Sequence, residues 1–423
     1  MPTIDRRSLL GAGAAAGLAL AAGGCRADSG RADSGELMVS WYGGAPVHEA
    51  MNAVLDSWSQ AQDGVTAIGS GVAFNDYWDK LATETAAGEP PDVFRMSMTY
   101  FVEYASRGVF ADVSALNGLD LSLLDEDVRG SGLVDGTLYG VGQSSIAPAI
   151  FSSRSMVSDA GAEVPVEWTW DDFRDWVTEF ATDTGKYGTT DMGGNFQMFD
   201  VYARQEVGNQ FADDGSLQLT PEVIAQWFTL WDELRKAKAA PPSDVTAAGG
   251  DFETNPMSTG DAALTSGWVQ QVTFYQPLIR DGSVEVSPMP QKTKGDFSGL
   301  FVKALDFWCI SANAANPDAA AQLVNHLIND AEATDVIGLL LGVPPTEAAR
   351  ESLAHADRAT RAAVDYIDDY AELAGPAPGP WPTGYGELLS AFTRANESVG
   401  FGKASAADAA TTFLEEAQRA LGG

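Results

Sequence analysis

The sequence predicts an α/β protein of two lobes, and three observations carry that expectation. Short apolar runs alternate with amphipathic stretches from residue 37 onward, the pattern of strands covered by helices. The chain has 423 residues, more than one hydrophobic core usually organises. Its apolar content of 45% is enough to fill packed cores, which excludes wholesale disorder.

Leu37-Met38-Val39-Ser40-Trp41 reads as a buried strand that stops at Tyr42-Gly43-Gly44. Pro46 then opens a helix whose apolar positions are Val47, Met51, Val54 and Trp58. A second strand near Val65 to Ile68 leads to Asn75, which suits a helix N-cap, and the next helix carries Trp78, Leu81 and Thr85. Pro90-Pro91-Asp92-Val93-Phe94 breaks that helix and starts a third strand. Such alternation predicts a mainly parallel sheet. Thr169 with Asp172 forms a variant capping box before Phe173, Trp176, Val177 and Phe180. Ile224, Trp227, Phe228, Trp231 and Leu234 make a further helical stripe. Asn316-Pro317 starts a helix with Leu323, Leu327 and Ile328, and Ser405 with Asp408 caps the last one. Pro241-Pro242, Gly249-Gly250 and the Pro/Gly-rich run 375–382 are loops or lobe crossings.

The first 24 residues describe an export signal rather than a fold element: a basic head, a modest apolar run and small residues before Cys25. Arg6-Arg7 followed by Leu9-Leu10 resembles a twin-arginine signal. Ala22-Gly23-Gly24-Cys25 resembles a lipobox, although lipoboxes favour Leu where this chain has Ala22; the alternative is an ordinary secretory signal with an incidental cysteine. The sequence Arg-Ala-Asp-Ser-Gly, present at 26–30 and again at 31–35, reads as a flexible tether between a lipid anchor and the globular body.

The formal charge is −34. A surface this acidic repels phosphate backbones, so nucleic acid is not an expected partner. Cys309 is the only cysteine after Cys25 and sits in the apolar run Phe307-Trp308-Cys309-Ile310, where it should pack as a small hydrophobe. Cys-rich metal motifs are excluded, and no cofactor is expected.

An ordered set of motifs resembles the extracellular solute-binding proteins of bacterial ABC importers, carbohydrate-binding group. It runs from Trp78-Asp79-Lys80-Leu81 and Gly88-Glu89-Pro90-Pro91-Asp92-Val93, through Asp135-Gly136-Thr137-Leu138-Tyr139-Gly140 and Thr169-Trp170-Asp171-Asp172-Phe173. It continues with Gly260-Asp261-Ala262-Ala263-Leu264, Gly267-Trp268, Asn316-Pro317-Asp318 and Gly402-Lys403-Ala404-Ser405. The resemblance implies a type II periplasmic-binding-protein-like fold with discontinuous lobes and a central ligand cleft. Its expected organisation is a signal peptide over 1–24 and a lipidated tether over 25–36. Lobe 1 then takes 37–145 and 299–350, and lobe 2 takes 146–298 and 351–423. It also implies a carbohydrate ligand, ABC permease subunits as partners, membrane attachment through the lipid anchor only, and a monomer.

A sugar offers hydroxyl rims and apolar C–H faces, so its site needs flat aromatics and planar polar groups. Open sheets bind ligands beyond the carboxyl ends of their strands. That rule selects Trp41, Tyr42 and Gly44 after the first strand, Met96 and Ser97 after the third, and Gln143, Ser144 and Ser145 after the crossing strand. Trp268 follows an apolar strand where the family resemblance places a stacking aromatic. Trp381, between Pro380 and Pro382, and Tyr385 add two aromatics in or near a loop. Asp306 interrupts an apolar strand and is either a ligand contact or the partner of Lys303 or an arginine. Asp191 and Asn195 are ligand contacts or turn residues, and Asn75 caps a helix or faces the cleft. Trp58, Trp176, Trp227 and Trp231 belong to helical stripes and thus to cores.

The favoured reading is a non-enzymatic, extracytoplasmic receptor that binds a mono- or oligosaccharide for import. The alternatives are a secreted lipoprotein glycoside hydrolase, or a receptor for a polyol or sugar phosphate. No G-x-S-x-G, H-E-x-x-H or P-loop motif is present, and His48, His326 and His355 lie far apart in sequence.

Overall fold

The computed structural model describes residues 35–212, 214–279, 283–370 and 373–422. The signal, Cys25 and the Arg-Ala-Asp-Ser-Gly tether up to residue 34 lie outside the described residues.

The strands are β1 (Glu36–Tyr42), β2 (Thr66–Val72), β3 (Val93–Ser97), β4 (Leu133–Val134), β5 (Thr137–Leu138), β6 (Gly140–Gly142), β7 (Pro148–Ser153), β8 (Tyr187–Thr189), β9 (Ala262–Trp268), β10 (Val284–Ser287) and β11 (Asp306–Ile310). A five-stranded sheet has the order β2-β1-β3-β11-β6, and a four-stranded sheet the order β10-β7-β9-β8. β4 and β5 form a hairpin whose two turn residues, Asp135 and Gly136, both take positive φ (51° and 79°). That geometry suits the right-handed twist of paired strands and explains an Asp-Gly there.

The sheets are mixed rather than mainly parallel. β1 pairs in parallel with β2 and β3, as consecutive strand–helix units require. β11 enters antiparallel to both β3 and β6, because the chain reaches it from the other sheet. In the second sheet only β8 and β9 are parallel; β7 runs antiparallel to β9 and β10. β2 also extends to Val72, beyond the expected end at Ile68.

Helix boundaries follow local chemistry. Residues 45–60 form a helix with Pro in its first turn, which lacks no needed donor there. The Trp170–Thr184 helix has the expected box: Asp172 N donates to Thr169 Oγ1 at 3.1 Å and Thr169 N to Asp172 Oδ2 at 3.0 Å. Asn316 and Ser405 cap the Pro317–Asn329 and Ala406–Leu421 helices. Asn75 does not cap. The helix starts at Phe74, Ala73 holds the cap position without a side-chain bond, and Asn75 is exposed in the first turn.

Trp227 and Trp231 are fully buried with Ile224 and Phe228 on the Pro221–Lys236 helix. Such side chains contribute about 1.5–3 kcal/mol each on burial. Cys309 is also fully buried, and burial pushes its thiol well above the usual range. Two crossing segments join the sheets. They are tied where Ile146 N donates to Lys303 O at 3.0 Å and Lys303 N to Ile146 O at 3.1 Å. No helix among the described residues is long and apolar enough to cross a membrane.

Candidate functional site

One edge of the five-stranded sheet gathers the chemistry. β1 and β3 end there at Tyr42 and Ser97, and antiparallel β11 begins there, so Asp306 stands opposite Ser97. β6 ends on the same edge, and Gln143 N donates to Asp306 O at 3.1 Å. Carboxyl ends of parallel strands and an incoming strand meet at a topological switch, the usual ligand position in open sheets.

Arg95 organises this edge from β3. Its Nη2 donates to Asp306 Oδ2 at 2.9 Å and its Nη1 to the Tyr42 carbonyl at 2.9 Å. Its guanidinium lies 4.1 Å from the Tyr42 ring centre. The Tyr42 hydroxyl donates to Asp306 Oδ1, so both carboxylate oxygens are engaged. Burial pushes the Tyr42 phenol well above its ordinary range, against the pull of Arg95, which keeps it a donor. A carboxylate in an apolar strand is costly to bury without such partners; of the alternatives for Asp306, its bonded cation is Arg95 rather than Lys303.

Beside this triad stands an aromatic wall. Phe74 is 48% exposed and meets Tyr42 edge-on at 5.1 Å. Trp78 lies 5.5 Å from Tyr42 and 4.3 Å from Tyr100. Trp78 and Tyr100 are half-buried, and so are Ser97 and Thr99, whose hydroxyls lie 3.4 Å apart. The wall thus offers ring faces beside polar groups, which suits one face of a hydroxylated ring. Phe74, Arg95 and Tyr100 were not singled out from the sequence, and Trp78 was read only as a helix position. The aromatics at 74, 77 and 78, just after a strand end, were the available signal.

The second sheet contributes an edge that abuts the same crossing. Trp268 ends β9 opposite Pro148, and Val269 N donates to Ala147 O at 2.9 Å. The Trp268 indole is half-buried, 6.3 Å from Phe301. Beyond β8, Asp191 is held inside: Oδ2 accepts from Arg235 Nη1 at 2.8 Å and Oδ1 from Gly193 N at 2.9 Å. Asn195 caps the Phe196–Val207 helix through Gln197 N and Met198 N, both at 3.1 Å, and remains exposed.

The other selected residues fall in several places. Trp41 and Met96 have no exposed surface; Trp41 packs in the core and donates from Nε1 to His48 Nδ1 at 3.1 Å. Gly44 is exposed just before the first helix. Gln143, Ser144 and Ser145 are buried against residues 341–343. There Gln143 Nε2 donates to Leu341 O at 3.1 Å and Ser145 N to Val343 O at 2.7 Å. Gln143 Oε1 and Ser145 Oγ keep no partner. Trp381 and Tyr385 are buried and stack on each other, 4.0 Å between centres and 11° between planes.

Behind that stack lies a charged group unforeseen in its composition. Lys303 has no exposed surface; its Nζ donates to the carbonyls of Pro378 (2.9 Å) and Gly379 (3.1 Å) and sits 5.5 Å from the Trp381 ring centre. Burial pulls its amine down to about 7, although nearby Asp200 acts the other way. Burial likewise raises the Asp200 carboxyl to about 6 against the effect of Arg204 and Lys303. Among the described residues, no group of three or more His, Cys, Asp or Glu side chains could hold a metal ion.

The sequence profile of the bacterial extracellular solute-binding proteins matches residues 53–363. Among solved structures, an extracellular solute-binding protein family 1 member from Alicyclobacillus acidocaldarius is 26% identical, covers 92% of this chain and 98% of its own, and superposes with a TM-score of 0.75. A periplasmic oligogalacturonide-binding protein from Yersinia enterocolitica, in complex with saturated digalacturonic acid, is 20% identical, with 92% and 98% coverage and a TM-score of 0.79. A receptor from Streptomyces glaucescens, solved unliganded and with acarbose, is 19% identical, with 92% and 99% coverage and a TM-score of 0.74.

Proposed function

The chain belongs to the bacterial extracellular solute-binding proteins, and from that premise we propose that it is the receptor of an ABC importer for a mono- or oligosaccharide. The family is one of binding proteins and is extracytoplasmic. In this reading the ligand sits in the cleft between a lobe of residues 37–145 and 299–350 and a lobe of residues 146–298 and 351–423. The lobes close on it about the crossing segments, and the loaded, monomeric receptor is handed to the permease. Export by the twin-arginine route and lipidation at Cys25 hold it beside that permease.

The observation that carries the carbohydrate reading is the Tyr42–Phe74–Trp78–Tyr100 wall anchored by Arg95 and Asp306. It presents aromatic faces with hydroxyl and carboxylate groups on one rigid sheet edge. The Yersinia and Streptomyces proteins, whose structures hold digalacturonic acid and acarbose, add the same ligand class from the same fold.

A ligand that binds only the folded state raises the melting temperature. A panel of sugars and oligosaccharides should therefore contain at least one that raises it, and Trp78→Ala should remove the shift. Cleavage of a glycoside without any shift would replace this reading with a hydrolase. Mass spectrometry of the exported protein tests the anchor: an unmodified Cys25 would leave a receptor without one.

A further inference from the structure

A pocket opens on the side of the helix over Met98–Ser106 that carries Val102. Tyr100, in the aromatic wall, and Val102, in this pocket, lie about 200° apart around that helix. The Tyr385–Gly400 helix packs against the same helix, where a Cβ at Gly386 would lie 3.4 Å from Thr99 Cγ2. The pocket holds about 360 Å³, within the roughly 300–1,000 Å³ typical of small-ligand sites. Its walls come from both parts of the fold: Val102 and the β4–β5 hairpin on one side, residues 209–212, 214, 215 and the 378–383 loop on the other.

Two of its polar groups are unspent. Asp200 and Gln210 line it while only 4% and 3% exposed, and Asp200 Oδ1 and Gln210 Nε2 have no hydrogen-bond partner. Buried polar atoms are nearly always satisfied, so orphans at a cavity wall point to a ligand or to water that a ligand displaces. One is an acceptor and the other a donor, the pairing that a hydroxyl group satisfies. Trp381 lines the pocket with them, held by its stack on Tyr385 and by Lys303, whose amine grips the Pro378 and Gly379 carbonyls. The lining includes Asp135, Asp200 and Asp214 but, among the described residues, no Lys, Arg or His.

We propose that this pocket seats one neutral, hydroxylated sugar ring, bound by Asp200, Gln210 and Trp381, as a second subsite of the interlobe cleft. The inference rests on the carbohydrate-receptor reading and narrows it. Three carboxylates line the pocket, while Lys303 behind it is turned to the Pro378 and Gly379 carbonyls; such a lining disfavours uronates and sugar phosphates, so the ligand is a neutral sugar.

The test uses purified mature protein with maltotriose, cellotriose, xylotriose, raffinose and, as the anionic probe, digalacturonate. Melting shifts find the binder and calorimetry gives its Kd. At least one neutral sugar should bind, and digalacturonate should not. Gln210→Leu should weaken the neutral sugar at least tenfold. Ala212→Trp, which plugs the pocket from its lining without touching a buried polar group, should do the same even if Gln210→Leu proves unstable. Two results would overturn the pocket alone: a sugar lost in Trp78→Ala but bound within twofold of wild type by both pocket variants, or digalacturonate binding that both variants weaken. Absence of any shift across the whole panel, digalacturonate included, would overturn the pocket together with the receptor reading.

Discussion

Arg95 and Asp306 form a bridge of 2.9 Å between adjacent antiparallel strands, and the same guanidinium holds the Tyr42 carbonyl. The two residues are 211 positions apart in sequence, so the bridge closes the sheet edge only once β11 has returned. Removing the cation would strand a carboxylate and a phenol at the edge of the aromatic wall.

Arg95→Ala should therefore destabilise the fold as well as the site. Breaking a buried ion pair costs about 3–5 kcal/mol. Asp306 retains 23% side-chain exposure, so the loss should fall near the lower end, about 3 kcal/mol by urea unfolding. Pairing it with Asp306→Asn should recover part of that loss, because no uncompensated carboxylate remains. A double variant as unstable as the sum of the singles would deny the coupling.

Asp191 and Arg235 give a second expectation. Their side chains are 1% and 5% exposed and 2.8 Å apart, and Asn396 Oδ1 lies 3.4 Å from the same guanidinium. Asp191→Ala should lower unfolding free energy by about 3–5 kcal/mol, the cost of an orphaned buried cation. Loss of sugar affinity at unchanged stability would instead give Asp191 a ligand-contacting role.

These two bridges show what the sequence could and could not reveal. Helices were legible because capping and apolar spacing are local: Thr169 with Asp172, Ser405 with Asp408, and the 224–234 stripe all act within one element. Strand order was not. Nothing near residue 306 says that β11 lies between β3 and β6, so the sheet was expected to be more parallel than it is. Within the site, strand ends could be read as an edge, but side-chain direction alternates along each strand. Tyr42 reaches the edge while Trp41, one residue earlier, is sunk in the core. Asp200 was hidden for a different reason: a helical carboxylate reads as a solvated face until the packing of the 376–382 loop and Lys303 around it is known.

Trp268→Ala separates affinity from stability. Full truncation of a buried Trp costs about 3–5 kcal/mol, but this indole is half-buried and ends its strand. A loss of no more than about 2 kcal/mol is expected, together with at least a tenfold weaker sugar. Unchanged affinity would confine Trp268 to packing against Phe301.

Gly299→Ala probes the crossing between β10 and β11. Gly299 takes φ +72°, and a Cβ there would stand 2.3 Å from the Val201 carbonyl oxygen. Left-handed backbone costs an alanine about 1–2 kcal/mol, and the carbonyl belongs to helix backbone that cannot swing aside. The variant should lose more than 2 kcal/mol by urea unfolding; an unperturbed midpoint would mean that this segment repacks freely.

Lys303 makes stability depend on pH in a defined direction. In the folded protein burial holds its amine near 7, whereas in the unfolded chain it titrates near about 10.4. Below 7 both states carry the proton, and above about 10.4 neither does. Between those limits the unfolded chain binds one proton more, so folding becomes more favourable as pH rises, by at most about 1.4 kcal/mol per unit. Asp200 acts oppositely and lower: its folded value of about 6 makes the folded state the better proton binder from about pH 4 to 6, and stability falls across that range. Lys303→Met removes the first effect. It also removes a charge that restrains Asp200, which moves that carboxyl higher and extends its unfavourable range upward. Both changes have the same sign above pH 7. The stability of wild type relative to Lys303→Met should thus increase by about 2 kcal/mol between pH 7 and pH 9, measured by urea unfolding in matched salt. The comparison with the variant cancels the repulsion of a strongly acidic chain, which both proteins share. Parallel pH profiles would mean that the Lys303 amine stays charged in the folded state, held by the Pro378 and Gly379 carbonyls strongly enough to offset its burial.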